Sequence, residues 1–522
     1  MSFDASNPHL DVKGRPQSGT DYLESLRDNR EVWIYGERVE DVTVHPAFRN
    51  CARSIARLYD ALHDPAQFPV LLRPTDTGNG GMTHPFFKVA YSKDDLRASR
   101  DAIEAWQRLT FGWLGRSPDY MASFLATLGA NPNFFGEYAA NARFWYLKSQ
   151  EDVLHVGHAI VNPPVDRAHG NGGVKDVYVH VETETDSGLI VSGAKVVATG
   201  APTTQYILVS HFGAEGWEKE FSVTFMTPTA GQGVKILARA SYEEVMARSA
   251  SPFDYPLSSR LDENDAILIF DRALIPWENI LIYDTDTIGH FKDESGFLQR
   301  AILQASTRLS VKLDFLAGAL SKALDITGAG QFRGVQAALG EVISWRHLVA
   351  GIRDGMIEGA KPGFGGAADP CLDYALAHAA IAPKLYSRIR EIVETVVASG
   401  LIYLNSNAVD FNAIEMRPYL DRYLRGSGGN AALSRSKTMK LLWDSIGSEF
   451  GARHELYELN YFSQPETNHI RNFLRAQHDG TLNRMRGLVE VCMSDYDVTG
   501  WTAPDLINST DVNFITRKGR SG

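Results

Sequence analysis

Apolar and polar positions alternate with three different rhythms along the chain. From Arg49 to His63 the apolar residues Ala52, Ile55, Ala56, Leu58, Tyr59 and Leu62 recur at helical spacing. Leu96–Trp113 and Tyr120–Leu128 read the same way, and a helix is expected to start near Tyr22 with Thr20 as its N-cap. Within this first region only Val32–Tyr35, closed by Gly36 and Glu37, reads as a strand. From about 155 to 285 the rhythm shortens. Val177–Val181, Leu189–Gly193, Tyr206–Ser210, Phe221–Phe225 and Ala266–Phe270 are β-rich and separated by turn residues such as Asp186–Ser187–Gly188. No helical pattern alternates with them, so a barrel or sandwich is expected rather than a Rossmann array. Helical spacing then returns in Phe297–Ile326, which Gly328 should stop, and in Val335–Ile352, Tyr374–Leu401 and Leu433–Phe450. Long helices joined by modest loops predict a bundle. The pattern therefore predicts an α+β chain in three parts: a helical N-terminal domain over 1–154, a β-barrel over 155–285, and a C-terminal helical bundle with its tail over 286–522. From Asp497 onward the tail reads as irregular, suited to wrapping a partner subunit.

Composition narrows the function. The 522 residues carry 52 Lys plus Arg against 63 Asp plus Glu, a net charge of −11, which disfavours a nucleic-acid footprint. No apolar run approaches the ~18 residues of a membrane span. The polar stretch Met1–Arg15 has no leader-like apolar core. Cys51, Cys371 and Cys492 are few and scattered, so a disulfide framework is not expected and a reducing cytoplasm fits.

Several segments are candidates for chemistry. Gly328–Gly334 contains a GxG without GxGxxG spacing, and no Walker A or G-x-S-x-G motif occurs. His155-x-x-His158 has metal-like spacing on a helix but lacks a third ligand, so no metal is expected. In Gly115–Tyr120, Ser117 and Pro118 form an N-cap and N1 pair. That places Arg116 just before a helix and Tyr120 in its first turn, both able to face one cleft; a capped surface helix is the plainer alternative. In His158–Arg167, Pro163 and Pro164 impose a rigid extended stretch, which suits either a ligand wall or an interdomain connector. Ser192–Gly200 ends in small residues that would let a flat ring approach the backbone, or is an ordinary strand end.

Together these segments resemble the 4-hydroxyphenylacetate 3-monooxygenase family, the large oxygenase component of two-component, FADH2-dependent phenol hydroxylases. The resemblance runs through Glu31–Val39, His45–Phe48, Gly115–Tyr120, His158–Arg167, Val191–Thr199, Ser251–Arg260, Pro276–Asn279, Phe332–Gln336 and Gly447–Tyr457. It implies an acyl-CoA dehydrogenase-like fold, usually a homotetramer. It also implies that a separate NAD(P)H-flavin reductase supplies reduced FAD, which reacts with O2 to a C4a-hydroperoxide. A 4-substituted phenol is then hydroxylated ortho to its hydroxyl to give a catechol. The implied substrate is a phenolic acid or a tyrosine-like group, free or tethered to a carrier protein.

The resemblance maps phenol binding onto Arg116 and Tyr120, and the active-site histidine onto His158. Flavin contacts map onto His158, Ala159, Ile160, Pro164, Val165, Asp166, Arg167, Thr199, Gly451, Ala452, Arg453 and His454. Ser210 and His211 border the substrate. A phenol of pKa ~10 needs help to ionise at neutral pH. Arg116 would stabilise the oxyanion, His158 would act as base or hydrogen-bond partner, and Tyr120 would fix the ring. Two departures stand out: Gly157 where the family often has Asn, and Ala452 in a Phe-Gly-Gly-Arg motif. Substrate choice is expected in the loop Ser210–Glu220. The alternative is a dehydrogenase on the same fold, with tightly bound FAD and a late carboxylate base. Glu449, Glu455 and Glu458 are available for that role, but read first as helix surface.

Overall fold

The computed structural model describes residues 14–165, 174–211, 218–461 and 464–511. They fall into two units, Met1–Tyr461 and Phe462–Gly522.

In the larger unit the expected N-terminal helices form as Arg49–Ala61, Lys93–Leu109 and Pro118–Ala130, joined by Ala139–Asp152. The first helix, Gly19–Ser25, is capped by Ser18 rather than Thr20. The Ser18 hydroxyl accepts from the Asp21 N–H at 3.2 Å and the Asp21 carboxylate accepts from the Ser18 N–H at 2.8 Å. This reciprocal box satisfies two orphan donors, which a cap at Thr20 would leave open. Pro118–Ala130 starts where Ser117 and Pro118 predict, but the Ser117 side chain turns to buried Asp119 and makes no cap bond.

The strand-like piece near Val32 joins the central sheet. Glu31–Ile34 runs parallel to Val234–Ala238 and folds back into Glu37–Val39. Tyr35 and Gly36 both have positive φ, 53° and 81°, the geometry that a twisted two-residue hairpin demands. The six-stranded sheet has the order Glu37–Val39, Glu31–Ile34, Val234–Ala238, Asp265–Pro276, Gly188–Thr199, His180–Thr185. A four-stranded sheet has the order Ile280–Tyr283, Val223–Pro228, Tyr206–Val209, Val156–Ala159. Phe225 of the second sheet meets Phe270 of the first edge-on at 5.5 Å, so both close on one core.

The helical bundle is built around Phe297–Thr327, which packs against Arg333–Glu358, Leu372–Val397 and Ala432–Ile446. It ends at Gly328, whose φ of 73° is the left-handed stop that glycine supplies. The single helix expected over Leu433–Phe450 is two. Ala432–Ile446 ends at Gly447, and Glu449–Asn460 begins with the Ser448 hydroxyl accepting from the Gly451 N–H at 3.1 Å.

The smaller unit contains helices Pro465–His478 and Thr481–Met493, then a short hairpin pairing Tyr496–Asp497 with Gly500–Trp501, where an irregular tail was expected. Among the described residues no helix is long and apolar enough to cross a membrane.

Candidate active site

Arg116 sits in the turn between the Lys93–Leu109 and Pro118–Ala130 helices, and both of its backbone polar groups are held. Its N–H donates to the Glu263 carboxylate, and its carbonyl lies 3.2 Å from His155 Nε2. The opposite ring nitrogen of His155 faces the Thr203 carbonyl at 3.1 Å and the Tyr22 hydroxyl at 3.4 Å. His155 is therefore a clamp on the Arg116 backbone. It lies on an extended segment leading into the strand Val156–Ala159, so the helical His155-x-x-His158 geometry does not arise. Burial lowers its pKa to about 4 and keeps it neutral.

The Arg116 guanidinium is caged by three phenol rings. Its carbon lies 3.8 Å from the Tyr120 ring centroid, 4.4 Å from that of Tyr461 and 5.1 Å from that of Tyr457. Gly115 makes the cage possible, because a Cβ there would fall 2.0 Å from the Tyr457 hydroxyl. The Tyr461 hydroxyl donates to the Gly115 carbonyl at 3.2 Å. His158 lies beside this cage, its ring centroid 5.3 Å from that of Tyr120. Burial, and then the charge of Arg116, push His158 well below its ordinary pKa, so the imidazole is neutral. Arg116 Nε and Nη1, His158 Nδ1 and the Tyr457 hydroxyl are all buried without a hydrogen-bond partner. Four such atoms in one place are uncommon and point to a polar ligand.

A second arm meets the first at Glu263. The Arg453 guanidinium donates to Asp265 at 2.9 and 2.6 Å, and lies 3.5 Å from Glu263. Thr199 donates to the same Asp265 at 2.7 Å, so two residues far apart in sequence share one carboxylate. Burial works to raise the Asp265 pKa, but Arg453, Arg239 and Thr199 together hold it well below the carboxylate range. Gly451 is fixed by its neighbours: a Cβ would come 2.7 Å from the Ile446 backbone. Ala452 is exposed. His454 packs edge-on against Trp113 at 4.9 Å, with Nδ1 at 3.3 Å from Lys312 Nζ. Burial and the Lys312 charge keep it neutral. Arg453 Nη1 and His454 Nε2 are further buried atoms without a hydrogen-bond partner. Of the remaining residues mapped to the flavin, Ala159 is buried, Ile160 half-buried, and Pro164 and Val165 exposed. Asp166 and Arg167 lie outside the described residues. Partnerless buried donors around an Arg–Asp fork, next to a small-residue helix start, fit a planar, anionic cofactor such as FAD.

Ser210 and His211 follow the strand Tyr206–Val209, which pairs in parallel with Val156–Ala159 and brings His158 opposite Leu208. The Ser210 hydroxyl is engaged with Thr224 at 2.8 Å, and His211 is buried. Residues 212–217 of the loop expected to choose the substrate lie outside the described residues.

Several residues of this cluster escape a reading of the sequence. Arg453, Tyr457 and Tyr461 recur every four residues, a one-face signal that was available. Glu263 and Asp265 sit in the acidic run Asp262–Asp265, which looks like a solvated turn. Glu458 corrects an expectation. It is not helix surface: its side chain is 3% exposed and pairs with Arg308 at 2.7 Å and Lys312 at 2.9 Å. The two cations come from the adjacent Phe297–Thr327 helix, and nothing in the local sequence announces them. Glu455 pairs with Arg390, while Glu449 is exposed.

Comparison with known proteins assigns the class. The family model described as 4-hydroxyphenylacetate 3-hydroxylase N terminal matches residues 18–282, and its C-terminal counterpart matches 288–490. The chain is 54% identical over 501 residues to the oxygenase component of 4-nitrophenol 2-monooxygenase from Rhodococcus sp, covering 96% of each chain. It is 51% identical over 493 residues to a Streptomyces globisporus monooxygenase of a (3S)-3-amino-3-(3-chloro-4-hydroxyphenyl)propanoyl group on a peptidyl-carrier protein, covering 94% and 93%. The crystal structure of the oxygenase component of 4-hydroxyphenylacetate 3-monooxygenase with FAD and 4-hydroxyphenylacetate superposes with a TM-score of 0.84 at 31% identity, covering 91% of this chain and 99% of that one. The expected helix–sheet–helix fold is thus borne out, and it is that of the flavin-dependent aromatic monooxygenases. Within that class, the chain belongs to the 4-hydroxyphenylacetate 3-hydroxylase family.

Proposed function

We propose that this protein hydroxylates a 4-substituted phenol ortho to its hydroxyl, using reduced FAD and O2, and that the Arg116 cage receives the phenol oxygen. One observation carries the reading: the guanidinium of Arg116 is stacked among tyrosines yet has partnerless N–H groups beside the free Nδ1 of a neutral His158. A phenolate oxygen would fill that gap. Arg116 stabilises the oxyanion, and the neutral His158 exchanges a hydrogen bond with the phenol O–H as it ionises. His158 is a weak base while the site holds only the Arg116 charge, and a phenolate beside it would ease that penalty. Tyr120 orients the aromatic ring and, with Tyr457 and Tyr461, keeps water from the guanidinium.

FAD would be held by His158, Ala159, Ile160, Pro164, Val165, Asp166, Arg167, Thr199, Gly451, Ala452, Arg453 and His454. When bound in its reduced form it would supply the two electrons that activate O2, and O2 provides the oxygen atom that is transferred. A separate NAD(P)H-flavin reductase supplies it, the working assembly is a homotetramer, and the location is cytoplasmic. Relatives that act on a free nitrophenol and on a carrier-bound aminoacyl phenol frame the substrate: a phenolic acid or a tyrosine-like group, with or without a carrier. Of the three carboxylates named for the dehydrogenase alternative, Glu455 and Glu458 are ion-paired and Glu449 is exposed on its helix, so none is a buried free base.

A single-turnover assay tests the reading. The protein is mixed with anaerobically reduced FAD, then with O2 and a panel of 4-substituted phenols that includes tyrosine and a carrier-bound tyrosine. A product heavier by one oxygen atom supports it and ranks the substrates. Consumption of reduced FAD with no oxygenated product from any phenol refutes it.

A further inference from the structure

Lys195 is fully buried in the middle of the strand Gly188–Thr199. Its Nζ forms no ion pair with a carboxylate of the described residues. Instead it donates to three oxygens, the Ile160 carbonyl at 3.2 Å, Asn162 Oδ1 at 2.8 Å and the Ser210 carbonyl at 2.8 Å, and lies 3.1 Å from His211 Nδ1, which accepts or donates according to its tautomer. Burial pushes Lys195 well below its ordinary pKa, but in either protonation state Nζ keeps N–H groups for these oxygens, and a neutral amine can turn its lone pair to an N–H tautomer of His211.

The position of this cage in the sheet gives it a purpose. The parallel strands Val156–Ala159 and Tyr206–Val209 stay in register up to Ala159 and Val209. A last bond runs from the Ser210 N–H to the Ala159 carbonyl at 3.3 Å. Beyond it the strands part. One continues through Ile160 and Asn162 toward Pro163 and Pro164, along the stretch assigned to the flavin. The other continues into Ser210 and His211, the corner that the resemblance assigns to the substrate. Carbonyls freed where a ladder ends inside a protein need donors. Lys195 supplies them to both branches at once.

We propose that Lys195 is a positioning residue for substrate selection: the hydrogen bonds of its Nζ set the fork between the flavin wall and the Ser210–His211 corner, and so fix where that corner meets the 4-substituent of the phenol. The inference rests on the proposed hydroxylase reading. The polar contacts of Lys195 Nζ are all with protein groups, so it acts through them.

The test is Lys195→Met, which keeps the length and removes every donor. Its folding is checked by circular dichroism and thermal melting. Reduced-FAD affinity is expected to stay within about 3-fold of the parent, while KM for the preferred phenol rises about 10-fold. The preference between 4-nitrophenol and 4-hydroxyphenylacetate should fall toward unity, and hydrogen peroxide should replace product as substrate fit is lost. Hydrogen exchange should quicken in peptides spanning 159–162 and 206–211, and only there. The double variant with His211→Asn should lose no more selectivity than the larger single change, because both act on one corner. If Lys195→Met does not fold, Lys195→Arg keeps N–H donors but moves them off the Nζ position, and should still alter the preference between the two phenols. A folded variant with unchanged preference and unchanged exchange overturns the proposal, as does an equal loss of reduced-FAD affinity. If the parent protein oxygenates no phenol, the hydroxylase reading fails instead, and the exchange data still report whether Lys195 holds the fork.

Discussion

Asp265 and Arg453 face each other through two parallel hydrogen bonds, Nε to Oδ2 at 2.9 Å and Nη2 to Oδ1 at 2.6 Å, so a strand of the central sheet and a helix of the bundle are locked by one fork. Bidentate pairs of this kind fix direction as well as distance. Asp265→Asn removes the charge and leaves Arg453 and Arg239 without their common partner. Removing one side of a largely buried pair costs about 3 kcal/mol. A lower urea midpoint should accompany weaker binding of reduced FAD, measured by anaerobic titration. Unchanged FAD affinity would exclude this fork from the cofactor site.

Arg116→Lys keeps the charge but loses the planar face that lies between three tyrosine rings. Loss of one well-placed oxyanion donor costs about 100-fold in rate. A fall of that order in kcat/KM for the phenol is expected, with reduced-FAD affinity little changed. Kinetics like those of the parent would remove Arg116 from the phenol site.

Gly115→Ala probes the cage from behind. The new methyl group would sit 2.0 Å from the Tyr457 hydroxyl and 2.5 Å from the neighbouring ring carbon, so the ring must leave its place. A higher KM for the phenol should follow while the helices around it melt as before. Circular dichroism and steady-state kinetics together separate a displaced ring from a damaged fold.

Stability should be lost on the acid side. His84, His155 and His378 are buried and neutral, with pKa lowered to about 3, about 4 and about 4 by burial. In the unfolded chain each takes up a proton near pH ~6.5. The unfolded state then binds more protons than the folded one, so unfolding free energy falls as pH drops below that value, by up to about 1.4 kcal/mol per pH unit for each histidine. The decline continues until pH passes the folded value of each group. Melting temperature should be flat above pH ~7.5 and fall steeply below ~6.5. His84→Gln should make the fall shallower, provided the variant folds.

The three-part plan was legible because hydrophobic rhythm survives in single segments: Phe297–Thr327 and Pro118–Ala130 appear within a few residues of where their apolar spacing puts them. Boundaries set by side-chain bonding were not. The Ser18–Asp21 box moved the first cap, and the Ser448 cap cut one predicted helix in two. Arg116, Tyr120 and His158 were singled out from a turn, a helix start and a rigid segment, and the fold sets them side by side. Glu263, Asp265 and Glu458 stayed hidden because each carboxylate gets its role from a cation on a distant element, and a single sequence carries no trace of that pairing.

Tyr461 is both a wall of the Arg116 cage and the last residue of the larger unit. One side of the proposed phenol pocket is thus a point of passage, where the chain leaves the larger unit. A truncation placed before Tyr461 removes a wall of the Arg116 cage outright, and one placed just after it leaves that wall as a fraying chain end. If the cage binds the phenol as proposed, deletions aimed at the C-terminal unit act first on phenol handling, and a lost activity after trimming says little about what the trimmed segment does.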